Sequence, residues 1–323
     1  MYGFNVSKFG GPDVMVWEEL PDLDPGPGQV LVDVYASGIN FAETRMRAGT
    51  YSGQPLPFVM GMEGAGIVTA IGDDVTRVAV GDRVFGRARG CHAEQVLFNE
   101  THVLPLPDTV SFVEGAAIPV GWLTAWHALY TVAKMQAGER VLVEAVGGSV
   151  GSAAVQIAKE AGCWVVGTAS RDDKLNAGQA FGIDLGINYR KESVSGRILE
   201  HTDDAGVDIS LMTIGEETAS ELFASMGLDG RVVMFGSTGG RDVHFNLNIG
   251  IRNLQLLAMS ISTSPAFVPQ TMAHFRDYAL PRFADGRFKA VVDTVLPLSE
   301  VVRAHAMIDE RKHFGKVVLE VER

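Results

Sequence analysis

A glycine-rich turn, Ala145–Gly151, carries the clearest chemistry in this sequence. It follows an apolar run, Val141–Val143, and opens directly into a helix of small residues, predicted over Ser152–Ala161. Glycine lets the backbone approach a phosphate closely, and the free N–H groups and dipole of a helix N-terminus favour negative charge. The turn therefore predicts a pyrophosphate-binding segment made of Ala145, Gly147, Gly148, Ser149, Val150 and Gly151.

The spacing of this turn is not the usual G-x-G-x-x-G, so the same glycines would also fit a turn that only ends a strand. The segment after the turn favours the interpretation that the turn binds a dinucleotide. A second apolar strand, Cys163–Thr168, completes a strand–helix–strand unit, and further strand and helix candidates then alternate. Such alternation predicts a doubly wound parallel sheet. The later candidates are Val207–Met212, Glu216–Met226, Arg231–Phe235 and Leu254–Ile261.

The end of the second strand indicates which nicotinamide coenzyme binds. NAD-binding proteins place an acidic residue there, which holds the ribose 2′-hydroxyl and would repel a 2′-phosphate. Here Ser170 and Arg171 follow the strand, Lys174 comes soon after, and Asp172 and Asp173 lie beyond the strand tip. We predict NADPH, although the same residues would also suit a helix N-cap with solvated charges.

The composition of the chain limits its possible class and partners. The 323 residues are enough for two ordinary domains, and 46% hydrophobic with 20% charged residues is typical of a globular protein. The net charge of −12 disfavours nucleic acids and anionic lipids. With only Cys91 and Cys163, a disulfide framework and a cysteine-rich zinc lobe are excluded. We expect a cytoplasmic protein, because the sequence has no secretory signal pattern and the uncharged stretch Gly115–Ala133 contains proline and histidine.

The remainder of the chain is β-rich. Short strands are predicted at Gln29–Tyr35, Gly61–Ile71 and Val80–Gly86, separated by Gly-Asp turns, which is typical of a small barrel. The segment Ser111–Lys134 is predicted to be helical. The last predicted elements are an amphipathic helix over Gln270–Leu280, stopped by Pro281, and strands at Ala290–Leu296 and Lys316–Val321.

This order of elements predicts a cofactor domain inserted into a β-rich domain. Residues 1–121 and 262–323 are assigned to the β-rich domain, and residues 122–261 to the cofactor domain. Ligands of open α/β sheets bind beyond the carboxyl ends of the strands. We therefore expect a substrate cleft at the two junctions, near Gly121 and Ser262.

Several short motifs are spread over nearly the whole chain. They are P-G-P-G-Q-V-L-V (Pro25–Val32), A-S-G-I-N-F-A-E-T (Ala36–Thr44), G-M-E-G-A-G-I-V (Gly61–Val68), V-G-D-R-V-F (Val80–Phe85), the Ala145–Gly151 turn, I-N-Y-R (Ile187–Arg190) and H-F-G-K-V-V-L (His313–Leu319). Through them the chain resembles the medium-chain dehydrogenases/reductases, specifically their zinc-independent, zeta-crystallin-like quinone oxidoreductase branch. The resemblance implies an α/β protein, with a GroES-like β-barrel catalytic domain and a Rossmann domain with a doubly wound parallel sheet.

The resemblance also bears on metals. Zinc-dependent members of this superfamily use a cysteine after the first barrel strand and a histidine in a G-H-E motif, whereas this chain has Asn40 and Met62 there. Because a catalytic zinc needs three protein ligands, no catalytic metal is expected. Other histidines, for example His102, His201 and His244, show no ligand spacing and are interpreted as surface or packing residues.

Without zinc, the implied activity is hydride transfer from NADPH to an acceptor that needs little activation, a quinone or related α,β-unsaturated carbonyl. The oxyanion or enolate so formed needs stabilisation and a proton. By resemblance, Asn40 lies near the nicotinamide, and Tyr51 matches the tyrosine that related enoyl reductases use as proton donor. In the alternative interpretation, Asn40 only forms hydrogen bonds to backbone groups of its own loop, and Tyr51 only shields the cleft. The residues implied around NADPH are Asn40, Thr124, Gly148, Ser170, Lys174, Tyr189, Phe235, Gly236, Ser237 and Arg311.

Some positions depart from the pattern of the family. Glu144 puts a carboxylate next to the pyrophosphate turn, where it either weakens coenzyme binding or points away. Ser149 stands where glycine is usual, and Met212 where an acid often stands. Cys91-His92 occupy a barrel turn that commonly has Gly-Tyr.

Two other functions remain open from the sequence. One is an enoyl-thioester reductase acting on enoyl-CoA or acyl-carrier-protein, because Asn40-Phe41 and Thr50-Tyr51 also resemble the reductase modules of polyketide and fatty-acid synthases. The other is a non-catalytic NADPH-binding structural protein, which Glu144 would favour. The family further implies a homodimer through the apolar strand Asn253–Ile261, whose exposed edge would otherwise be a liability.

Overall fold

The computed structural model describes residues 1–51, 53–244, 250–262 and 267–322. The chain divides into two compact units. The first unit consists of Met1–Val120 and Val268–Arg323, and the second consists of Gly121–Phe267. Within the described ranges, every helix is too short or too polar to cross a membrane.

The described residues form sixteen strands and ten α-helices. The strands are β1 (Tyr2–Val6), β2 (Met15–Glu19), β3 (Gln29–Ile39), β4 (Phe58–Val59), β5 (Glu63–Ile71), β6 (Arg83–Arg87), β7 (Gln95–Asn99), β8 (Val103–Pro105), β9 (Arg140–Val143), β10 (Trp164–Ala169), β11 (Leu185–Asn188), β12 (Val207–Met212), β13 (Met226–Met234), β14 (Gln255–Ala258), β15 (Val292–Pro297) and β16 (Lys316–Glu320). The helices are α1 (Phe41–Arg47), α2 (Phe112–Ala116), α3 (Pro119–Trp126), α4 (Ser149–Glu160), α5 (Asp172–Gln179), α6 (Val194–His201), α7 (Ala219–Ala224), α8 (Phe267–His274), α9 (Leu280–Ala284) and α10 (Val301–Glu310).

The first unit is built around β3. This strand pairs antiparallel with β5, β7 and β16, in a sheet of order β15-β16-β3-β5-β6-β8 to which β7 also belongs. Val30, Val32 and Val34 are buried in its core, as their alternation predicts. The strand runs on to Ile39, beyond the predicted end at Tyr35, because its last residues pair with β16. It therefore ends directly before Asn40.

The second unit contains a six-stranded sheet of order β11-β10-β9-β12-β13-β14, in which every pair is parallel. This is the strand order of a doubly wound dinucleotide-binding sheet. Val141, Leu142 and Val143 of β9 are buried in the middle of the sheet. A strand buried on both faces reads as a continuous apolar run, which is the pattern that the sequence shows.

Two predicted helical segments are interrupted. The segment Ser111–Lys134 consists of α2, then α3, then a π-helical stretch over His127–Val132. Helix α3 begins at Pro119, since proline suits the first turn of a helix. The second segment, predicted to stop at Pro281, is α8 followed by a π-helical stretch over Phe275–Ala279 and then α9.

The prediction that Pro281 ends this helix is wrong. Pro281 lies at the second position of α9, which continues directly from the π-helical stretch, so the helical backbone runs past the proline to Ala284. Strand β6 also differs from its prediction, because it begins at Arg83 and not at Val80. Gly81, with φ +94°, forms a turn just before it.

Candidate functional site

The glycine turn of the second unit is a tight loop closed on itself. Ala145 has a left-handed backbone, φ +52°, and its carbonyl oxygen accepts a hydrogen bond from Gly148 N at 2.9 Å. Val146 N donates to Thr168 O at 3.1 Å, which ties the turn to the end of β10. A Cβ on Gly151 would lie 2.4 Å from the Ala145 oxygen, so only glycine fits there.

Helix α4 begins at Ser149, earlier than the predicted Ser152, with Gly148 as its N-cap. Its first intrahelical bond runs from Ser152 N to Gly148 O at 2.9 Å. The amides of Ser149, Val150 and Gly151 therefore belong to the first turn, where backbone N–H groups have no partner four residues before them. These amides, with the helix dipole behind them, fit a pyrophosphate.

The predicted 2′-phosphate residues follow β10. Lys174, on α5, lies against the turn, because a Cβ on Gly147 would be 2.5 Å from Lys174 Cδ. Arg171 is paired with Asp173, with its Nη2 2.6 Å from the carboxylate. Ser170 directly follows the strand. The structure thus places Lys174 beside the glycine turn and gives Arg171 an acidic partner.

Asp172 lies in the first turn of α5, and other groups already hold its carboxylate. Asn188 Nδ2 donates to it at 2.6 Å and Lys191 Nζ at 2.5 Å, and these bonds, that of Asn188 first, lower the pKa of Asp172. Tyr189 follows Asn188. Its backbone N–H donates to Ala169 O at 3.2 Å, and its ring packs against the core of the sheet. The carboxyl ends of β10 and β11 are therefore joined beside the glycine turn.

Glu144 points away from the glycine turn. Its carboxylate is buried and accepts hydrogen bonds from Thr213 N at 2.7 Å, Ile214 N at 2.9 Å and Thr218 Oγ1 at 2.5 Å. Burial raises the pKa of Glu144, and it outweighs these hydrogen bonds, which lower the pKa. Of the two orientations that the sequence allowed, this one leaves the first-turn amides of α4 to a ligand, and it holds the loop after β12.

The segment Phe235-Gly236-Ser237 follows β13. Phe235 N donates to Met212 O at 3.3 Å, and a Cβ on Gly236 would lie 2.6 Å from Thr213 O. The chain after β13 thus runs close against the chain after β12, and only glycine permits this approach. Thr124 lies buried on α3 of the same unit. All predicted coenzyme residues except Asn40 and Arg311 belong to the second unit.

In the first unit, Asn40 is the centre of a buried polar network. It caps α1, and its Nδ2 donates to Glu43 Oε1 at 3.0 Å and to Glu63 Oε1 at 2.7 Å. Lys316 Nζ donates to Asn40 Oδ1 at 2.7 Å and to Glu63 Oε1 at 2.6 Å. The other oxygen of Glu63 accepts from Val120 N at 2.6 Å. Both ends of the Asn40 amide are therefore fixed by protein groups.

The position of the superfamily's catalytic zinc does not suit a cation in this chain. Met62 offers only a thioether, and the amide oxygen of Asn40 already accepts from the Lys316 ammonium. A metal ion bound there would face that positive charge at close range. The donor set of this position therefore does not fit a catalytic zinc.

Tyr51 and Arg311 also belong to the first unit. Tyr51 is half-buried after α1, and its backbone N–H donates to Arg45 O at 3.1 Å. Burial lowers the pKa of Arg87, while Glu63 and Tyr51 oppose this, so Tyr51 is within electrostatic range of Arg87. Arg311 follows α10 with a left-handed backbone, φ +54°, and its guanidinium lies 5.4 Å from the centre of the Phe41 ring.

The sequence prediction missed Glu63 and Lys316. Both lie inside motifs that carry the resemblance, G-M-E-G-A-G-I-V and H-F-G-K-V-V-L. Each of them is a charged residue at the start of a largely apolar strand, and that charge is the signal that could have found them, because a buried charge needs a partner. Which partner it has depends on how β16 pairs with β3, and that pairing joins distant parts of the chain.

Known proteins resemble this chain over its full length. Residues 26–108 match the family described as alcohol dehydrogenase GroES-like domain, and residues 149–280 match the family described as zinc-binding dehydrogenase. The quinone oxidoreductase of Homo sapiens is 33% identical over 99% of this chain and 97% of its own. The quinone oxidoreductase of Pseudomonas aeruginosa is 31% identical over 97% of each of the two chains.

Solved structures agree with the fold. The quinone oxidoreductase of Pseudomonas syringae has a TM-score of 0.90 at 31% identity and covers 99% of each chain. That of Escherichia coli, complexed with NADPH, has a TM-score of 0.90 at 28% identity, over 99% of this chain and 100% of its own. The CurK enoyl reductase has a TM-score of 0.88 at 27% identity, over 99% of each chain.

These matches confirm the fold class predicted from the sequence, a GroES-like domain with a Rossmann-type parallel-sheet domain. The identity to quinone oxidoreductases exceeds 30% over almost the whole of both chains. The chain is a member of the medium-chain dehydrogenase/reductase superfamily and belongs to its quinone oxidoreductase family, which is a family of enzymes.

Proposed function

We propose that this protein is an NADPH-dependent, zinc-independent oxidoreductase that reduces a quinone or a related α,β-unsaturated carbonyl by hydride transfer. The observation that carries the proposal is the glycine turn. Its first-turn amides in α4 are left to a ligand, and Lys174 lies against Gly147. The similar Escherichia coli enzyme, whose structure contains NADPH, supports the choice of coenzyme.

The roles of the residues follow from this proposal. The backbone amides of Ser149, Val150 and Gly151 hold the pyrophosphate, and Lys174 and Arg171 bind the 2′-phosphate. Thr124, Ser170, Tyr189, Phe235–Ser237 and Arg311 complete the coenzyme residues that the resemblance implies. When bound, the coenzyme supplies the hydride to the acceptor.

The acceptor's own chemistry then requires a proton. Hydride addition to a conjugated carbonyl leaves an enolate or hydroquinone oxyanion, so one proton must follow each hydride. We assign this proton to the hydroxyl of Tyr51. We assign Asn40 to the nicotinamide and acceptor, with its amide oriented by Lys316 and Glu63. Neither role needs a metal ion.

Steady-state oxidation of NADPH tests the proposal. The purified protein is assayed with a panel of quinones and, in parallel, with a panel of crotonyl thioesters. Turnover with quinones at a rate well above background supports it, with NADPH preferred over NADH. Oxidation of neither coenzyme with any acceptor would reject an enzymatic function altogether.

An enoyl-thioester reductase is the second candidate. The similarity to the CurK enoyl reductase favours it, as do Asn40-Phe41 and Thr50-Tyr51. Turnover with thioesters alone in the same assay would establish it in place of the quinone reaction. A non-catalytic NADPH-binding protein has lost its main support, because the carboxylate of Glu144 binds the loop after β12 and does not occupy the turn. The cytoplasmic location remains a prediction.

A further inference from the structure

The first unit contains a second buried polar group, formed by Glu43, His92 and His305, which we call the Glu43–His92–His305 cluster. Glu43 lies on α1, His92 in the turn before β7, and His305 on α10. All three side chains are 0% exposed. One carboxylate oxygen of Glu43 and one ring nitrogen of each histidine lie within 4.8 Å of one another.

Ser37 joins His92 to the backbone of Glu63. Its Oγ lies 2.9 Å from the backbone oxygen of Glu63 and 2.8 Å from His92 Nδ1. Ser37 and a neutral imidazole have one proton each, so both contacts are hydrogen bonds only when Nδ1 carries the proton of the ring. In that tautomer Nε2 carries a lone pair.

That lone pair faces a carboxylate. His92 Nε2 lies 2.9 Å from Glu43 Oε2, and two lone pairs at this distance repel each other. A positive species between Nε2 and Oε2 allows this contact and both contacts of Ser37 to be made at once, and it is either a proton that turns His92 into an imidazolium or a metal ion. The other oxygen of Glu43 is engaged, because Oε1 accepts from Asn40 N at 3.1 Å and Asn40 Nδ2 at 3.0 Å.

His305 distinguishes the two possibilities. Neither of its ring nitrogens has a hydrogen-bond partner among the residues that the structure describes, although the ring is fully buried. A buried imidazole whose nitrogens have no acceptor is neutral, so at least one of these nitrogens offers a lone pair. A proton on His92 would satisfy Glu43 and leave His305 without a partner. A metal ion would bind one nitrogen of His305 in addition to His92 Nε2 and Glu43 Oε2.

We propose that Glu43, His92 and His305 bind a divalent transition-metal ion, for which Zn²⁺ is the best match. Two imidazoles and one carboxylate form a typical zinc donor set, whereas Mg²⁺ and Ca²⁺ prefer oxygen ligands alone. Ser37 and Asn40 orient the ligands through His92 Nδ1 and Glu43 Oε1, as outer groups do in established metal sites. The nearby cation, Arg47, is paired with Asp309 at 2.8 Å.

This ion would not be the catalytic zinc of the superfamily. Its ligands are different residues from the positions of Asn40 and Met62, and it joins α1, the turn before β7 and α10. Since Glu43 also holds the backbone and side chain of Asn40, the ion would stabilise the start of α1. Its role is therefore that of a structural ion that positions Asn40.

Metal analysis of an untagged chain tests the inference. The protein is treated with a chelator, desalted, loaded with Co²⁺ and desalted again, and its metal content and visible absorption are measured. We expect about one Co²⁺ per chain, with d–d bands that Zn²⁺ abolishes. His305→Gln should weaken Co²⁺ binding by at least about 100-fold, more than loss of an outer group would. His201→Gln, at an exposed histidine on α6, should leave it unchanged.

A folded wild-type chain that retains no Co²⁺ and gives no d–d bands would overturn the inference and leave a proton between Glu43 and His92. Equal Co²⁺ retention by His305→Gln would also overturn it. If that variant does not fold, the stoichiometry and spectrum of the wild-type chain decide alone. None of these measurements depends on turnover, so the result is independent of the proposed function.

Discussion

The ammonium of Lys316 lies 2.7 Å from the side-chain oxygen of Asn40, and both groups are buried. The two residues are 276 positions apart in the chain. They meet because β16 pairs with β3, which places the start of one strand beside the end of the other. Lys316 also neutralises Glu63. The amide that we assign to the nicotinamide is thus held by a buried ion pair.

Replacing Lys316 should destabilise the protein strongly. Lys316→Met leaves the carboxylate of Glu63 buried without its cation, and breaking a buried pair in this way costs about 3–5 kcal/mol. Urea denaturation measures the loss in free energy of unfolding. The control Lys312→Met removes an exposed ion pair with Glu310 and should change the free energy of unfolding by less than about 1 kcal/mol. Similar small losses in both variants would contradict the buried role of Lys316.

Lys174→Ala should weaken NADPH binding by about 1.5–3 kcal/mol and leave NADH binding almost unchanged, because it removes a charge-assisted contact to the 2′-phosphate alone. Arg171→Ala should weaken NADPH binding less than Lys174→Ala does, since Arg171 is already paired with Asp173. Calorimetric titration of both coenzymes measures these effects, with Lys8→Ala as a control. Equal losses for NADPH and NADH would refute the assignment.

Tyr51→Phe removes the hydroxyl that we propose as proton donor. The rate of reduction in a single turnover should fall by about 10²–10⁴-fold, with coenzyme affinity unchanged. Tyr278→Phe, at an exposed tyrosine, is the matched control and should react normally. If the Tyr51→Phe rate equals that of the wild type, Tyr51 serves only to shield the site.

Glu144→Gln should change how stability depends on pH. Burial raises the pKa of Glu144 above its ordinary 4.5, so the folded state keeps a proton that the unfolded state has already lost. The free energy of unfolding of the wild type therefore falls as pH rises from about 4.5 through the raised pKa. Glutamine does not ionise, so the variant should gain stability relative to wild type across this window.

Denaturation curves between pH 4 and pH 7 measure that difference. Glu144→Ala is the informative comparison, because it leaves the two backbone N–H groups and the Thr218 hydroxyl without their acceptor. Each buried donor left in this way costs about 1–3 kcal/mol, so the alanine variant should be less stable at every pH. A stability difference between Gln and wild type that does not vary with pH would disprove the raised pKa.

The homodimer that the family implies can be tested at β14. This strand is the edge of the parallel sheet, paired only with β13 among the described strands, and it is partly exposed. An unpaired apolar edge promotes association with another strand. Sedimentation at micromolar concentration should show a dimer. A monomer under these conditions would rule out this assembly.

The sequence predicted local features of the second unit well. Apolar runs such as Val141–Val143 identify buried parallel strands, and the glycines after them identify the turn. Because Gly147, Gly148 and Gly151 are typical of a loop, the sequence predicts the start of α4 at Ser152 and not at Ser149. In the structure Gly151 is helical, and the approach of the Ala145 carbonyl oxygen explains why a glycine stands there.

The polar networks of the first unit could not be predicted in the same way. Asn40 caps α1, whereas Glu63 and Lys316 lie on β5 and β16, and the members of the Glu43–His92–His305 cluster come from three separate elements. No spacing along the chain reveals the long-range contacts among them, because these contacts arise only when the sheet closes around β3. The departure from Gly-Tyr at Cys91-His92 was the one local signal of the cluster.

The contact between Gly147 and Lys174 links the glycine turn to the cation that we assign to the 2′-phosphate. The three heavy atoms nearest to a Cβ at position 147 are methylene carbons of Lys174, so a larger residue there would displace the lysine side chain. Under that assignment, enlarging this one residue should weaken the preference for NADPH over NADH without removing any charged group.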